Sequence, residues 1–283
     1  MPDAVVQALL PLVRQFASGE YGIALGGSLA KGTGDERSDV DIYLFAERVL
    51  PADQRRALAE QACGAEGGVA CWGSGEPFVE GGTDFRYGGQ TVEVWIREAR
   101  SVAETIERCL RGEVEREYRA WTVMGFFNHA VLSDVKSMRI VEDPAGILAE
   151  WKRRVAEYPP ALKRAVVARF LAEAKFWPGN VHYRTAVERG DAIYAGGIAH
   201  QVAYALVQVV FALNETYFPG EKQLARALGR LPAAPRAFAA RVEALLWPGA
   251  PASVAELCAQ ARELGALVEE VEALARAEEA DVA

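Results

Sequence analysis

The sequence predicts an α+β fold in which a first half mixing strands with helices is followed by an all-α second half. Three observations predict it. Strand-like runs at 21–25 and 40–45 alternate with segments of helical spacing, two further β-rich runs flank Gly88-Gly89, and no convincing strand follows Trp151.

Taken in order, Asp3 is placed to cap a first helix carrying Val5, Val6, Leu9, Leu10 and Val13 at helical spacing, with Pro11 a local blemish. Residues 21–25 read as a short buried strand, followed by a glycine-rich turn and a short helical piece around Leu29-Ala30-Lys31. The next strand, Val40 to Phe45, is almost unbroken in its hydrophobicity, as a strand covered on both faces would be. Pro51 opens a helix that ends near Gly64. Between Gly64 and Gly82 small residues without a period predict a loop, with one strand around Val69–Trp72. Thr83 to Ile96 reads as a hairpin, because Gly88-Gly89 supplies the positive backbone angles of a tight turn. Ser101 and Glu104 have the spacing of a capping box at the head of the following helix. From about Glu113 the reading is helical, interrupted by a short strand at Met138–Val141 and by Asp143-Pro144. Pro159-Pro160, Pro178-Gly179-Asn180, Tyr217-Phe218-Pro219-Gly220 and Pro248–Pro251 then separate helices, and the chain from Ala275 reads as a solvated helix end or a frayed tail. The expected domains are residues 1–145 and 146–283.

A chain of 283 residues, 51% hydrophobic and 25% charged, has the composition of a folded protein of one large or two smaller domains. Its net charge of -8 argues against a long nucleic acid as partner, which would call for clustered Lys and Arg. Cys63, Cys71, Cys109 and Cys258 show no CxxC spacing and no nearby histidine, so they read as reduced thiols of a cytoplasmic protein. The amphipathic start lacks the basic and apolar regions of a signal peptide. Ala192 to Leu213 is long and apolar enough to span a bilayer, but Gly196, Gly197, His200, Gln201 and Gln208 make it a buried helix of a bundle, so no membrane is expected.

The candidate chemistry lies in the first half. Residues two apart on a strand share a face, so Asp39 and Asp41 project together while Val40, Ile42 and Leu44 face the opposite layer. Two carboxylates at such range repel unless a cation sits between them, and paired carboxylate oxygens are what Mg²⁺ binds beside substrate phosphates. Gly26-Gly27-Ser28 precedes a short helical stretch, where bare backbone can approach a phosphate, Ser28 adds a hydroxyl, and Lys31 is near enough to help neutralise a triphosphate. Glu93 interrupts an apolar strand in which Thr91, Glu93 and Trp95 share one face. It would complete a trio with Asp39 and Asp41, either as a metal ligand or as the base for an acceptor hydroxyl. His129, His182 and His200 read as hydrogen-bonded helix residues, with no triad or zinc pattern around them. Trp177, Tyr183, Tyr194 and Tyr204 suit core packing or stacking on a base.

At Gly27-Ser28, Asp39, Asp41 and Glu93 the chain resembles the DNA polymerase β-like nucleotidyltransferase superfamily, over about its first 100 residues. The signature there is a glycine turn, roughly ten residues, Asp-x-Asp or Asp-x-Glu, then a carboxylate on a later strand. The resemblance implies a small mixed sheet with helices packed on it, and transfer of a nucleoside monophosphate from a triphosphate to an acceptor with release of pyrophosphate. It implies two metal ions about 3.5–4 Å apart, one at the attacking oxygen and one at the triphosphate. Asp39 and Asp41 would bind metal, Glu93 would bind metal or act as base, and Gly27 with Ser28 would hold the phosphates. The second half resembles the helical domains that follow this module in antibiotic nucleotidyltransferases and related bacterial proteins. Asn214-Glu-Thr-Tyr-Phe-Pro-Gly-Glu-Lys222 is similar to an element of the latter. If that domain closes over the nucleotide, Lys222 reaches the triphosphate and Tyr217 or Asn214 lines the base or acceptor site. Otherwise the segment is an ordered helix connection with Lys222 exposed.

The expected activity is therefore adenylylation of a small molecule from ATP or another nucleoside triphosphate, with Mg²⁺ as cofactor and an aminoglycoside or lincosamide as the acceptor type. Glu76, Glu80, Asp84, Glu113, Glu115 and Glu117 are available to build an acidic cleft for a cationic acceptor. Competing expectations are nucleotidylation of a protein or RNA, as in toxin–antitoxin modules, and a nucleotide-binding module without turnover. The long helical half counts against the first and the intact trio against the second.

Overall fold

The computed structural model describes residues 2–32, 34, 38–63, 68–73, 81–119, 122–247 and 253–282. In chain order its elements are α1 (Pro2–Gln15), β1 (Ala17–Leu25), α2 (Gly27–Ala30), β2 (Val40–Val49), α3 (Ala52–Cys63), β3 (Ala70–Trp72), β4 (Gly81–Tyr87), β5 (Gln90–Glu98) and α4 (Ala99–Leu110). They continue as β6 (Arg116–Glu117), β7 (Phe126–Phe127), α5 (Ala130–Ser137), β8 (Arg139–Glu142), α6 (Ile147–Arg154), α7 (Pro160–Phe176) and α8 (Val181–Glu188). The chain ends with α9 (Ala192–Leu213), α10 (Leu224–Leu228), α11 (Phe238–Leu246) and α12 (Val254–Val282).

These form two compact units, one of residues 1–108 with 131–157 and one of residues 109–130 with 158–283. The first holds a six-stranded sheet in the order β3-β4-β5-β2-β1-β8. It is mixed, because β2 and β5 run parallel while the other neighbours are antiparallel. Strand parity sorts its two faces. On one, Ile23, Leu25, Val40, Ile42, Leu44, Phe85, Val92, Val94 and Ile96 pack with Val6, Leu9 and Val13 of α1, Phe16 just after it and Ala59 of α3. Val13 and Phe16 are fully buried, and each large apolar side chain so placed stabilises the fold by about 1.5–3 kcal/mol. Buried Arg55 of α3 reaches β4 from this side, donating through Nη1 to the carbonyl of Gly82 at 2.8 Å and to Thr83 Oγ1 at 2.6 Å. The other face carries Asp41, Tyr43, Phe45, Glu93, Trp95 and Arg97.

In the second unit the long apolar α9 is the central helix. Residues from Val202 to Leu213 are almost all buried, and α9 packs on α7 and α12, which bury Leu162, Val166 and Phe170 and Leu264, Leu267 and Val271 in turn. This is the helix long and apolar enough to cross a membrane among the described residues, and it lies mostly inside the protein.

Most expected elements form, with several differences. The division falls after Glu157 rather than at 145, and residues 109–130 belong with the helices. The reason is local bonding: Arg169 Nη1 donates to the carbonyl of Val114 at 2.6 Å, and Glu221 accepts from the Val123 N–H at 2.9 Å. Within it the described residues from Glu113 to His129 are not helical, and Arg116 pairs with Phe127 in a two-stranded ribbon. The capping box is not formed, because α4 starts two residues earlier at Ala99 and Glu104 turns to Arg100 Nε at 2.8 Å. β1 and β2 run several residues beyond the expected 21–25 and 40–45, joined by their ladder from Ala17↔Val49 to Leu25↔Ile42. His129 lies just ahead of α5 rather than in a helix. The Asp3 cap, most of the 64–82 loop with Glu76 and Glu80, and the break at Pro248–Pro251 lie outside what is described.

Candidate active site

Register places three carboxylates in one row across the sheet. Asp41 on β2 is the direct partner of Glu93 on β5, and Glu93 is the direct partner of Asp84 on β4. Neighbouring strands stand about 4.8 Å apart, so the row spans about 10 Å at the backbone. Asp39 precedes β2 by one residue, half-buried like Asp41.

The glycine turn is seated on this row. The Gly26 N–H extends the β1–β2 ladder to the carbonyl of Asp41 at 2.8 Å, and Gly27 begins α2 with φ +57. A Cβ on Gly27 would stand 1.7 Å from Asp41 Oδ2. Only a residue without a side chain lets the turn lie directly on that carboxylate. The Gly27 N–H donates to Tyr43 Oη at 3.2 Å, so in this structure that amide, expected to face a phosphate, has a side-chain partner. Ser28 and Lys31 follow on and just after α2, and Lys31 Nζ stands 3.8 Å from Asp134 Oδ1.

Beneath the turn lies a cation. Arg97, 3% exposed, donates through Nη2 to Asp134 Oδ2 at 2.9 Å and lies 5.2 Å from the Tyr43 ring centre. Its Nε and Nη1 are buried without a hydrogen-bond partner among the described residues, leaving the guanidinium to the aromatic faces of Tyr43 and Phe45. Burial drives the Tyr43 phenol far above its ordinary range, with Asp134 and Asp41 adding to the rise, so the hydroxyl stays neutral beside Asp41.

Two indoles flank the other end of the row. Trp95 Nε1 donates to Glu93 Oε2 at 3.2 Å, Trp72 Nε1 donates to Asp84 Oδ2 at 2.9 Å, and the two rings meet edge to face at 5.1 Å. Trp72 crosses β4 at Gly82, where a Cβ would meet the ring at 2.4 Å. Burial pushes the Asp84 carboxyl up, Glu93 and Asp39 push it further, and the Trp72 N–H and Arg55 oppose them.

As they stand, no three His, Cys, Asp or Glu side chains among the described residues converge on a point that could hold a metal. The donor chemistry nonetheless fits a hard divalent cation, since Asp39, Asp41 and Glu93 offer only carboxylate oxygens. Mg²⁺ commonly takes just one or two carboxylates beside substrate phosphates and water.

Of the residues expected at the site, Gly27, Asp41 and Glu93 stand together, Asp39, Ser28 and Lys31 border them, and Lys222 is exposed in the helical unit. Asn214 and Tyr217 are occupied otherwise. Asn214 bonds the carbonyl and N–H of Ala233 at 2.9 and 2.8 Å, while buried Tyr217 stacks on Tyr158 at 4.8 Å. Glu113 and Glu117 pair with Arg111 and Arg119. Tyr43, Arg97, Asp84 and the two indoles were not singled out as site residues by the motif, although Tyr43 and Arg97 share the strand parity of Asp41 and Glu93. Asp134 had no such signal.

The chain matches the family model described as a nucleotidyltransferase domain over residues 7–66, the stretch that contains the glycine turn and both aspartates. It matches a domain of unknown function, DUF4037, over residues 126–224. No curated protein matches it. Among solved structures it is similar to a nucleotidyltransferase-like protein from Exiguobacterium sibiricum, at 12% identity and a TM-score of 0.43, covering 98% of this chain and 75% of that one.

Proposed function

Because the chain is a nucleotidyltransferase of the polymerase β-like kind, we propose that it transfers AMP from ATP to a hydroxyl of a small-molecule acceptor, an aminoglycoside or lincosamide, releasing pyrophosphate. The observation that carries this reading is the glycine turn resting on Asp41, with Glu93 as that residue's direct neighbour on the next strand.

Asp39, Asp41 and Glu93 would hold Mg²⁺. When bound, the ion neutralises charge on the triphosphate and polarises the phosphorus under attack. The protein's own part is placement. Gly27, Ser28 and Lys31 take the β- and γ-phosphates. Tyr43 and Arg97 fix the turn and β2 from below, so that phosphates and carboxylates meet in a constant geometry. The net charge of -8 suits a cationic acceptor. We place the reaction in the cytoplasm, where ATP and Mg²⁺ are supplied and the four free cysteines stay reduced.

The test incubates the protein with Mg²⁺, each labelled nucleoside triphosphate and a panel of aminoglycosides and lincosamides, reading pyrophosphate and the mass of the product. An acceptor heavier by one adenylyl group, that is by AMP less water, supports the proposal. Nucleotide binding without pyrophosphate sinks it, and turnover retained in both Asp39→Asn and Asp41→Asn sinks the metal assignment.

A further inference from the structure

The carboxylate row has a third strand that the family signature does not account for, and it ends at Asp84. Resting on the nucleotidyl-transfer reading, we propose that Asp84 is the acceptor-orienting residue of this site, its carboxylate accepting the hydrogen bond of the attacking hydroxyl while Glu93 serves the metal.

The row has a direction. Its Asp41 end lies under the glycine turn, which takes the leaving pyrophosphate. In phosphoryl-type transfer the attacking and leaving oxygens stand roughly in line on opposite sides of phosphorus. An acceptor therefore enters from the end away from the turn, where Asp84 stands two strands across from Asp41.

The carboxylate is built to stay in place. Trp72 Nε1 holds Oδ2 at 2.9 Å, and Oδ1 is the oxygen assigned to the acceptor. Trp72 is itself set by its close passage over Gly82 and by the edge of Trp95 at 5.1 Å. The strand under Asp84 is pinned from the opposite face by Arg55, through the Gly82 carbonyl and the Thr83 hydroxyl. The same two indoles give an acceptor an aromatic wall beside a negative charge, which suits a cationic polyol.

Asp84→Asn is nearly isosteric and keeps an oxygen for Trp72. Three readouts separate its roles: Mn²⁺ binding followed by quenching of tryptophan fluorescence, the KM for ATP, and pyrophosphate release. The last is measured with streptomycin, kanamycin or lincomycin, and with water alone in the acceptor's place. The expected result is a fall in kcat of about 100-fold, with Mn²⁺ affinity and the KM for ATP within about twofold of the wild type. Glu93→Gln serves as the contrast and loses Mn²⁺ affinity about tenfold or more. Trp72→Phe, which frees the carboxylate without removing it, raises the acceptor KM several-fold and leaves Mn²⁺ binding unchanged.

Turnover of Asp84→Asn within about threefold of the wild type overturns the proposal. So does a loss of Mn²⁺ affinity equal to that of Glu93→Gln, which would make Asp84 a metal ligand. A wild type that releases no pyrophosphate in any arm fails the transfer reading itself. The Mn²⁺ arm still judges Asp84 then: affinity lost as in Glu93→Gln overturns its placement off the metal, and affinity kept supports it.

Discussion

The glycine turn of the first unit and the Asn214–Lys222 segment of the second are both short connections beside a buried element, and they spend their polar groups differently. At the turn, the carboxylates of Asp41 and Glu93 line one sheet face in direct register, half-buried, with the backbone of Gly27 laid against Asp41. In the later segment three polar side chains serve the backbone, while Glu215 pairs with Lys163. Asn214 ties the end of α9 to Ala233, Thr216 Oγ1 bonds the Asn214 carbonyl at 2.9 Å, and Glu221 accepts from Val123 and Met124. Phe218 is buried against Phe127 and Phe211. Carboxylates gathered in register beside a glycine turn mark a site, whereas a carboxylate consumed by local amides marks a scaffold.

The largest test of that contrast is Gly27→Ala. The added methyl would lie 1.7 Å from Asp41 Oδ2 at a φ of +57, so the turn or the carboxylate must move. Pyrophosphate release is expected to fall on the order of 10³-fold, the equivalent of several kcal/mol of lost transition-state stabilisation. Stability should fall as well, by more than about 1 kcal/mol, since alanine is strained at a positive φ in this half-buried turn, so activity is read at a temperature where the variant stays folded. Activity within tenfold of the wild type would remove the turn from the site.

Next in size is a pH effect confined to the scaffold. His129 is buried with Nε2 2.9 Å from Gln208 Oε1, and burial pushes its pKa down to about 4, with Gln208 opposing the fall. The unfolded imidazole titrates near 6.5, so between these values the unfolded chain binds more protons. His129 thus contributes nothing adverse above pH 6.5, and stability is lost as pH falls from 6.5 towards 4. The loss across that window is about 3 kcal/mol. Urea unfolding at pH 7.0, 5.5 and 4.5 should show a steep decline that His129→Gln flattens. Equal declines in both proteins would show that another group is responsible.

Asn214→Ala is expected to cost about 1–3 kcal/mol, because Ala233 and the end of α9 lose their shared partner. The KM for ATP should not change. A raised KM at unchanged stability would restore Asn214 to a nucleotide site.

How far the sequence discloses the molecule follows the same divide. Strand parity was legible, so spacing alone set Asp41 and Glu93 apart from the apolar residues alternating with them on their own strands, and it also gave the hairpin at Gly88-Gly89 and the burial of α9; that Asp41 and Glu93 meet came from the motif. The placement of Asp84 was not, because nothing local says that β4 pairs with β5 in the register that sets it opposite Glu93. Asp134 was hidden for the same reason: it meets Arg97 across 37 positions of sequence. The stretch from Glu113 to Asn128 looked helical by pattern. Its described residues are not helical and include the short strands β6 and β7, and Asn128 Oδ1 and Nδ2 bond the Glu115 N–H and the Glu113 carbonyl at 3.0 and 2.8 Å, a tertiary override of local preference.

Lys222 gives the smallest effect and the sharpest reading of the contrast, for it is exposed at the end of a segment whose other members are structural. A surface lysine changed to methionine alters stability by no more than about 0.5 kcal/mol. If its ammonium serves the triphosphate, Lys222→Met raises the KM for ATP several-fold, and the change shrinks at high salt, because screening weakens an exposed phosphate contact. Steady-state assays at 50 and 500 mM KCl measure both. The expected outcome is a several-fold rise at low salt and near-equality at high salt. A KM equal to that of the wild type at both would leave the whole of Asn214–Lys222 on the scaffold side.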